Sequence, residues 1–544
     1  WSEKFGDVTG QAVEIESPDW IMFDMDLVVL KNLTIKGKLS FDDSADRILR
    51  TGNILVWGVL EIGTQASPFG ATTGTTARVE LTGNVLDTQD YVYIQEQSLW
   101  GKVVSVIGQV NTYGAPVMDT WLRLSSSIAA TAETACVLSS SQQLNWTAGA
   151  EVAFSVTEFD SPYGRTMTKV LTEDAVYDAA GGCWTLQWSG NLVDLRYAGD
   201  VPTGNGNSVS LRAVVARVDR SVIFTSQSID TTGGSAYGGH IEIFDLTLDD
   251  LYSTKWVGTV DMKYTNFHRL GKGALSAAVK VTYSSNFEPP PVLTFHGCSW
   301  TQSVEYALHL ESSNVPTLIT NNVMVHSLNG GIFLQEGSAV HIKDNAILGV
   351  KLADTAPRAI AEDDSQVIVM QYAGIRADTL PVRMIGNLVA GSDDMGYMHP
   401  AEQCPPRGIF NNEAVGVVTG VFLLTQKSGN CQTVNLYTIW KAAHVALYLS
   451  DVIPPSTLLS NIVIADSHIG IIPYMSIGSA FRRLYIRDST FIGTSPAGAS
   501  CSSSLHCRTQ TLTDPYMEGC SSMYVGSGFR RVGFVTPIQT VNKK

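Results

Sequence analysis

Basic residues are scarce in this chain: 36 Lys and Arg stand against 51 Asp and Glu, a formal charge of −15 with a pI near 5.1. So acidic a chain repels a phosphate backbone, and no nucleic-acid partner is expected. Charge of either sign is sparse at 16%, while 44% of residues are hydrophobic, enough to build a core and too much for a disordered chain. Long apolar runs are missing. The longest, 414–424, falls well short of the roughly 18–20 residues that a membrane span needs, so none is expected. Missing too are a Cys-x-x-Cys pair, a phosphate-cradling glycine loop and a dinucleotide fingerprint. Their absence removes zinc fingers, nucleotide enzymes and redox folds, and neither a cofactor nor a metal is expected.

Helix signals are nearly absent as well, since few windows keep an i, i+3, i+4 apolar stripe. What is present is short alternation, as in Trp20-Ile21-Met22-Phe23, Leu33-Thr34-Ile35 and Ile54-Leu55-Val56-Trp57, broken at Gly37, Gly52, Gly58 and Gly63. This pattern predicts an all-β chain. The 544 residues exceed one compact core and suit several domains or a repeat array.

A repeat is visible in the second half. A polar residue flanked by strand-like apolar residues recurs at Cys298, Asn322, Asn345, Asn387, Asn412, Asn435, Asn461 and Asp488, with a step of about 24 residues outside one long interval. A second column follows at Ala307, Gly331, Gly396, Gly420, Ala446 and Gly470. Two columns of one period predict stacked coils, a parallel β-helix from about residue 261 to 494. Coils about 4.8 Å apart would let Asn322, Asn345, Asn387, Asn412, Asn435 and Asn461 pair amide to carbonyl as a structural ladder. The long interval holds Ala361-Glu362-Asp363-Asp364-Ser365, expected to be an irregular coil. Before the repeat, residues 125–260 read as a β connector without the period. After it, residues 495–544 are rich in Ser and Cys and return to β character, expected to continue beyond the chain end.

Eight cysteines and two sequons, at Asn32 and Asn145, lean towards a secretory route, with both asparagines expected to carry N-glycans. The chain opens at Trp1 without a leader, as a processed product or fragment would. Cys404 and Cys431 lie one coil apart in sequence and are expected to bond across neighbouring coils. Cys136 and Cys183, flanking a connector strand, form a second expected pair. Cys298 occupies the Asn column and is expected to be a buried thiol, leaving Cys501, Cys507 and Cys520 as an odd set in the tail.

Glycan cleavage on a β-helix needs carboxylates, or a base beside a carboxylate, lined up across coils. Asp344, His341, Asp393, Asp394, Asp466 and His468 share no column, and His326, His444 and His468 suggest only a turn-packing pair. Asp24, Asp26, Asp42, Asp43 and Asp46 lack the spacing of a calcium loop. His240 and Glu242 alternate on one strand face without a third metal ligand. No catalytic residue is assigned, and an enzyme is not the expected reading.

The opening, with Gly37-Lys38-Leu39, Gly58-Val59-Leu60-Glu61-Ile62-Gly63, Ser67-Pro68-Phe69 and Leu81-Thr82-Gly83, resembles a G8 domain over about residues 1–124. Trp146-Thr147-Ala148-Gly149-Ala150-Glu151-Val152, Asn387-Leu388-Val389-Ala390-Gly391, Phe410-Asn411-Asn412-Glu413-Ala414, Ile439-Trp440-Lys441 and Arg531-Val532-Gly533 follow in the order found in the fibrocystin and fibrocystin-like family. The resemblance implies an extracellular or cell-surface location, in some members at cilia, flagella or surface coats. It implies a structural or adhesive role as an elongated β-solenoid, with other surface proteins, further copies of itself or glycans as partners. A related branch, the G8-bearing hyaluronidases, carries paired histidines and a His- and Asp-containing turn. Here the comparable stretches read Phe295-His296-Gly297 and Gly330-Gly331-Ile332-Phe333-Leu334-Gln335-Glu336-Gly337, which lack them. Glycan binding and glycosaminoglycan cleavage are the alternatives.

Overall fold

A computed structural model describes residues 1–492 apart from 84–91, 160–165, 204–206, 230–235, 248–253, 284–289, 312–314, 353–371, 425–430, 450–455, 474–482 and a few shorter gaps. Every regular element among the described residues is a strand. No helix among them is long and apolar enough to cross a membrane. The segment 361–365, His468 and the tail from 495 with Cys501, Cys507 and Cys520 lie outside the described residues.

The chain forms two compact units. The first joins Trp1–Thr120 to Arg217–His341 and is built from parallel coils with three strands each. One sheet takes Ala12–Ile15, Asn32–Ile35, Asn53–Val56, Val103–Val106, His240–Thr247, Val279–Thr282, Leu308–Leu310 and Gly330–Leu334. A second takes Trp20–Phe23, Lys38–Phe41, Val59–Ile62, Gln109–Tyr113, Thr259–Lys263, Leu293–His296 and Thr317–Thr320. The third begins with Leu27–Val29, Arg47–Thr51 and Ala77–Leu81 and continues through Val222–Ser226, Thr265–His268, Ser299–Thr301 and Val323–Val325. Pleating sends alternate side chains inwards, so Ile15, Ile35, Val56 and Val106 stack in the core. Each such side chain contributes about 1.5–3 kcal/mol by leaving water.

Close coil stacking explains the glycines that punctuate the first 110 residues. A Cβ on Gly58 would lie 2.0 Å from the carbonyl oxygen of Gly37, and one on Gly108 would lie 2.3 Å from that of Gly58. Only hydrogen fits where these turns pass over one another.

The second unit joins Trp121–Ala216 to residues from Ile342 onwards. Its first part is an antiparallel sheet in the order Met167–Val170, Glu151–Phe154, Val214–Arg217, Trp121–Leu124, Thr134–Leu138, Cys183–Gln187 and Val176–Asp178. Its second part returns to parallel coils, for example Ala346–Val350, Leu388–Ser392, Asn412–Val415, Tyr437–Trp440, Val463–Ala465 and Thr490–Ile492.

This pairing starts the later coils elsewhere than the expected boundary at 260. Parallel coils already run through residues 12–113, and Val222–Ser226 and His240–Thr247 are coil strands rather than connector. The antiparallel insertion at 121–216 separates strands that are neighbours in space, so no short sequence period links the coils before it to those after it.

Candidate functional site

From Tyr264 onwards, the turn that enters the third strand of successive coils has a recurring backbone. Tyr264, Gly297 and Asn321 in the first unit, and Asp344, Gly386, Asn411, Leu436, Asn461 and Asp488 in the second, all have φ between 49° and 69°. The residue after this left-handed position is the ladder position. Asn322 there accepts the Cys298 N–H at 2.8 Å and donates to the Phe295 carbonyl at 2.9 Å. In the second unit Asn345 Nδ2 donates to Asn387 Oδ1 at 2.9 Å, and Asn387 Nδ2 donates to Asn412 Oδ1 at 3.0 Å. Asn387 and Asn412 also reach the carbonyls of Ile342 and Met384 at 3.0 and 2.8 Å. All four amides are buried, so they hold turns rather than ligands.

Asn435 and Asn461 lie outside the expected ladder. Register pairs Asn412 with Tyr437, which places Asn435 two residues before the column, and Asn461 occupies the left-handed position one residue early. The two bond each other instead, Asn461 Nδ2 donating to Asn435 Oδ1 at 3.0 Å. Coil length varies by a residue or two, and a count in sequence cannot detect that slip.

Cys136 and Cys183 form a disulfide with Cα atoms 5.7 Å apart, on strands that pair antiparallel. Cys404 and Cys431 form another at 5.6 Å. This second bond follows a local antiparallel pairing, Gln403 opposite Gln432, rather than the stacking of successive coils that the spacing suggested. Cys298 is a buried free thiol, its pKa pushed up to about 12 mainly by burial. Of the sequons, Asn145 and Thr147 are exposed, whereas Asn32 is half-buried and its Oδ1 accepts a hydrogen bond from Asn53 at 3.0 Å.

The ionisable residues considered for chemistry are dispersed. His326 and Asp466 hold left-handed turn positions, and Asp466 pairs with Lys441 at 3.4 Å. His444 instead precedes the strand Val445–Leu449, its N–H donating to the Val418 carbonyl. Asp344 also sits in a turn, beside Lys343 at 3.4 Å. His341 lies in the strand Val340–Lys343 and is half-buried. Burial pushes the Asp393 carboxyl up to about 6, while Asp394 accepts the Tyr372 N–H at 3.3 Å. In the opening segment Asp24 binds Ser2, Asp26 and Asp42 bind Arg47, Asp43 caps Gly70 and Asp46 caps Thr76. Among the described residues no group of three or more His, Cys, Asp or Glu is arranged to hold a metal.

Two outward faces of the first unit bring polar side chains together. On the first sheet, Glu242, Lys280, His309 and Phe333 are register partners in successive coils. Lys280 Nζ lies 3.2 Å from Glu311, whose other oxygen is 3.9 Å from His309 Nε2. His309 stacks on Phe333 at 4.4 Å. Behind them His240 is buried, 2.6 Å from Lys272 Nζ and 3.5 Å from Glu242, and burial followed by the Lys272 charge lowers its pKa to about 4.

The outward face of the second sheet carries three columns, with Ser40 the one buried member. The first runs Trp20, Lys38, Val59, Gln109 and Thr259. The second runs Met22, Ser40, Glu61, Asn111, Asp261 and Thr294, and the third Tyr113, Lys263, His296 and Thr320. Lys38 Nζ sits 4.9 Å above the Trp20 ring and 2.7 Å from Glu61. The arrangement repeats further on, with Lys263 Nζ 5.0 Å above the Tyr113 ring and 3.5 Å from Asp261. The Tyr113 hydroxyl donates to Asp261, and burial together with that carboxylate holds it protonated above the usual phenol range. His296 bonds Thr320 at 2.8 Å and faces the Tyr264 hydroxyl at 3.3 Å. Sequence reasoning missed both faces because neighbouring members of a column lie up to 150 residues apart. Alternation within each strand was the available signal, and it lacked the register.

Residues 1–125 match the G8 domain family. Human Fibrocystin-L is 23% identical over 539 residues, covering 94% of this chain and 12% of its own. Mouse Fibrocystin-L is 22% identical over 515 residues, covering 90% of this chain and again 12% of its own, so the chain spans only a small part of these relatives. Among solved structures, the Gp54 tailspike of Acinetobacter baumannii bacteriophage AP22, in complex with A. baumannii capsular saccharide, is 9% identical over 87% of this chain and 73% of its own. Its TM-score is 0.17, so the coil architecture rests on the strand pairing of this chain itself.

Proposed function

The chain is a fibrocystin-like β-solenoid module with a G8 domain, and on that footing we propose that it serves as a structural and adhesive part of a surface protein. Its partners are other extracellular proteins, further copies of itself or glycans, on a cell surface such as that of a cilium or flagellum. One observation carries this reading. The buried Asn amides are consumed by turns, while a whole sheet face from Trp20 to Thr320 directs alternating aromatic, amide and paired charged side chains outwards. A fixed surface of that kind suits contact better than turnover. The two disulfides fit an oxidising, extracellular or cell-surface setting. The test is adhesion of beads coated with the chain to one another and to cells. Adhesion above that of beads coated with an unrelated β-helix is expected, and parity with that control overturns the proposal.

A second reading, glycosaminoglycan cleavage, is favoured by the Glu242, Lys280, His309 and Glu311 cluster, which sets carboxylates beside basic groups on one parallel sheet. Incubation with hyaluronan followed by size analysis separates the two. Unshortened polymer is the expected result, and shortening that disappears with Glu311→Gln would establish the enzyme.

A further inference from the structure

We propose that the three outward columns of the second sheet bind an uncharged, linear polysaccharide laid across the coils. The inference rests on the adhesive reading and names its ligand. Trp20 is 65% exposed in a chain that fully buries Trp146, Trp188, Trp300 and Trp440. A large aromatic kept in water on a flat sheet offers one thing a sugar needs, an apolar surface for the C–H face of a pyranose. Gln109 and Asn111, two residues apart on one strand, bond each other, Gln109 Nε2 donating to Asn111 Oδ1 at 3.1 Å, and the rest of their amide donors and acceptors, exposed on Gln109 and half-buried on Asn111, suit hydroxyls.

Charge selects the ligand class. The columns carry two ammonium groups, Lys38 and Lys263, and two carboxylates, Glu61 and Asp261, and each ammonium is already paired within its own trio. The strip is therefore neutral, on a chain whose net charge is −15. A sulfated or uronate polymer would find no uncompensated cation there and a repulsive field around it. A neutral glycan meets neither cost. Spacing fits as well: by strand rise and coil spacing the Trp20 and Tyr113 positions are about 20 Å apart along a diagonal, with Glu61, Gln109 and Asn111 between them.

Affinity electrophoresis tests this with the full chain in gels containing a neutral β-glucan, a neutral galactomannan, hyaluronan or heparin. Retardation is expected in at least one neutral gel and in neither anionic one. Trp20→Ala with Tyr113→Ala should raise the apparent Kd at least tenfold, while Trp20→Phe keeps most of the binding, which a folding defect would not allow. Retardation by the anionic polymers alone, no retardation in any gel, or full binding by the double variant each overturns the inference. The bead assay keeps the two proposals apart. Adhesion that persists without neutral-glycan binding sinks only this inference, whereas loss of wild-type adhesion removes the reading on which it rests.

Discussion

Arg123 and Glu413, 290 residues apart, meet at 2.6 Å within the second unit and tie its antiparallel sheet to its coils. Glu413 is nearly buried, and its second oxygen accepts the Trp440 indole N–H at 2.8 Å. The Glu413 charge in turn raises the Arg123 pKa. Nearby, the Trp121 indole donates to the Asp344 carbonyl at 2.9 Å, and Lys441 reaches Glu158 at 3.6 Å. The inserted sheet is therefore fixed by directional bonds as well as by packing.

Removing that acceptor should be costly. Glu413→Ala leaves Arg123 and Trp440 without it, and a loss of about 3 kcal/mol is expected. Glu413→Gln, which can still accept from Trp440, should lose less. Denaturant titration of the two variants against wild type checks the order, and equal losses would show that the bond to Trp440 is unimportant.

Asn387 is the central rung of the described ladder, bonded to Asn345, Asn412 and the Ile342 carbonyl. Asn387→Leu preserves volume but leaves buried polar groups unpaired, so a loss of about 2–4 kcal/mol is expected. Asn461→Ala, on the exposed turn, should cost under about 1 kcal/mol. Chemical denaturation measures both, and similar costs would count against the assignment of Asn461 outside the column.

Stability should fall on acidification. Burial lowers His240, His268 and His399 to about 4, below the value of about 6.5 for a free imidazole. Between those values the unfolded chain binds more protons than the folded one, so stability is fully present above about pH 6.5 and is lost as pH falls towards 4. Each histidine contributes a slope of up to about 1.4 kcal/mol per pH unit in that window. Asp393, raised to about 6, acts oppositely over part of it, because the folded state holds that proton more tightly. Three groups outweigh one. The melting temperature should therefore drop between pH 7 and pH 5, and a His399→Phe variant should show a shallower drop.

Cysteine reactivity gives a fourth check on the described residues. Cys136, Cys183, Cys404 and Cys431 should resist alkylation without reductant, and Cys298 should react only after denaturation. Reduction should destabilise the chain by about 2–4 kcal/mol per bridge through the gain in unfolded-state entropy. Alkylation of all five cysteines under native, non-reducing conditions would overturn the pairing and the oxidising setting.

N-glycan occupancy should follow accessibility. Asn145 is exposed, and Asn32 holds a hydrogen bond on the sheet surface, so a chain made through the secretory route should carry more glycan at Asn145. Site-resolved mass spectrometry measures the ratio, and higher occupancy at Asn32 would contradict it.

The all-β class, the coil period of the second half and the cysteine partners were legible in the residues alone, although the antiparallel pairing that joins Cys404 to Cys431 was not. Alternation, glycine punctuation and a repeated polar position are local properties, set by the pleat and by what a tight turn admits. Tertiary structure alone decided three other matters. Residues 222–247 return to coils first laid down before residue 113, because strand pairing ignores the insertion that separates them. Asn435 and Asn461 fall outside the ladder because register depends on individual coil lengths. Trp20, Lys38, Gln109, Tyr113 and Asp261 become one surface because stacking converts positions remote along the chain into neighbours about 4.8 Å apart, a relation that exists only once the coils are in register.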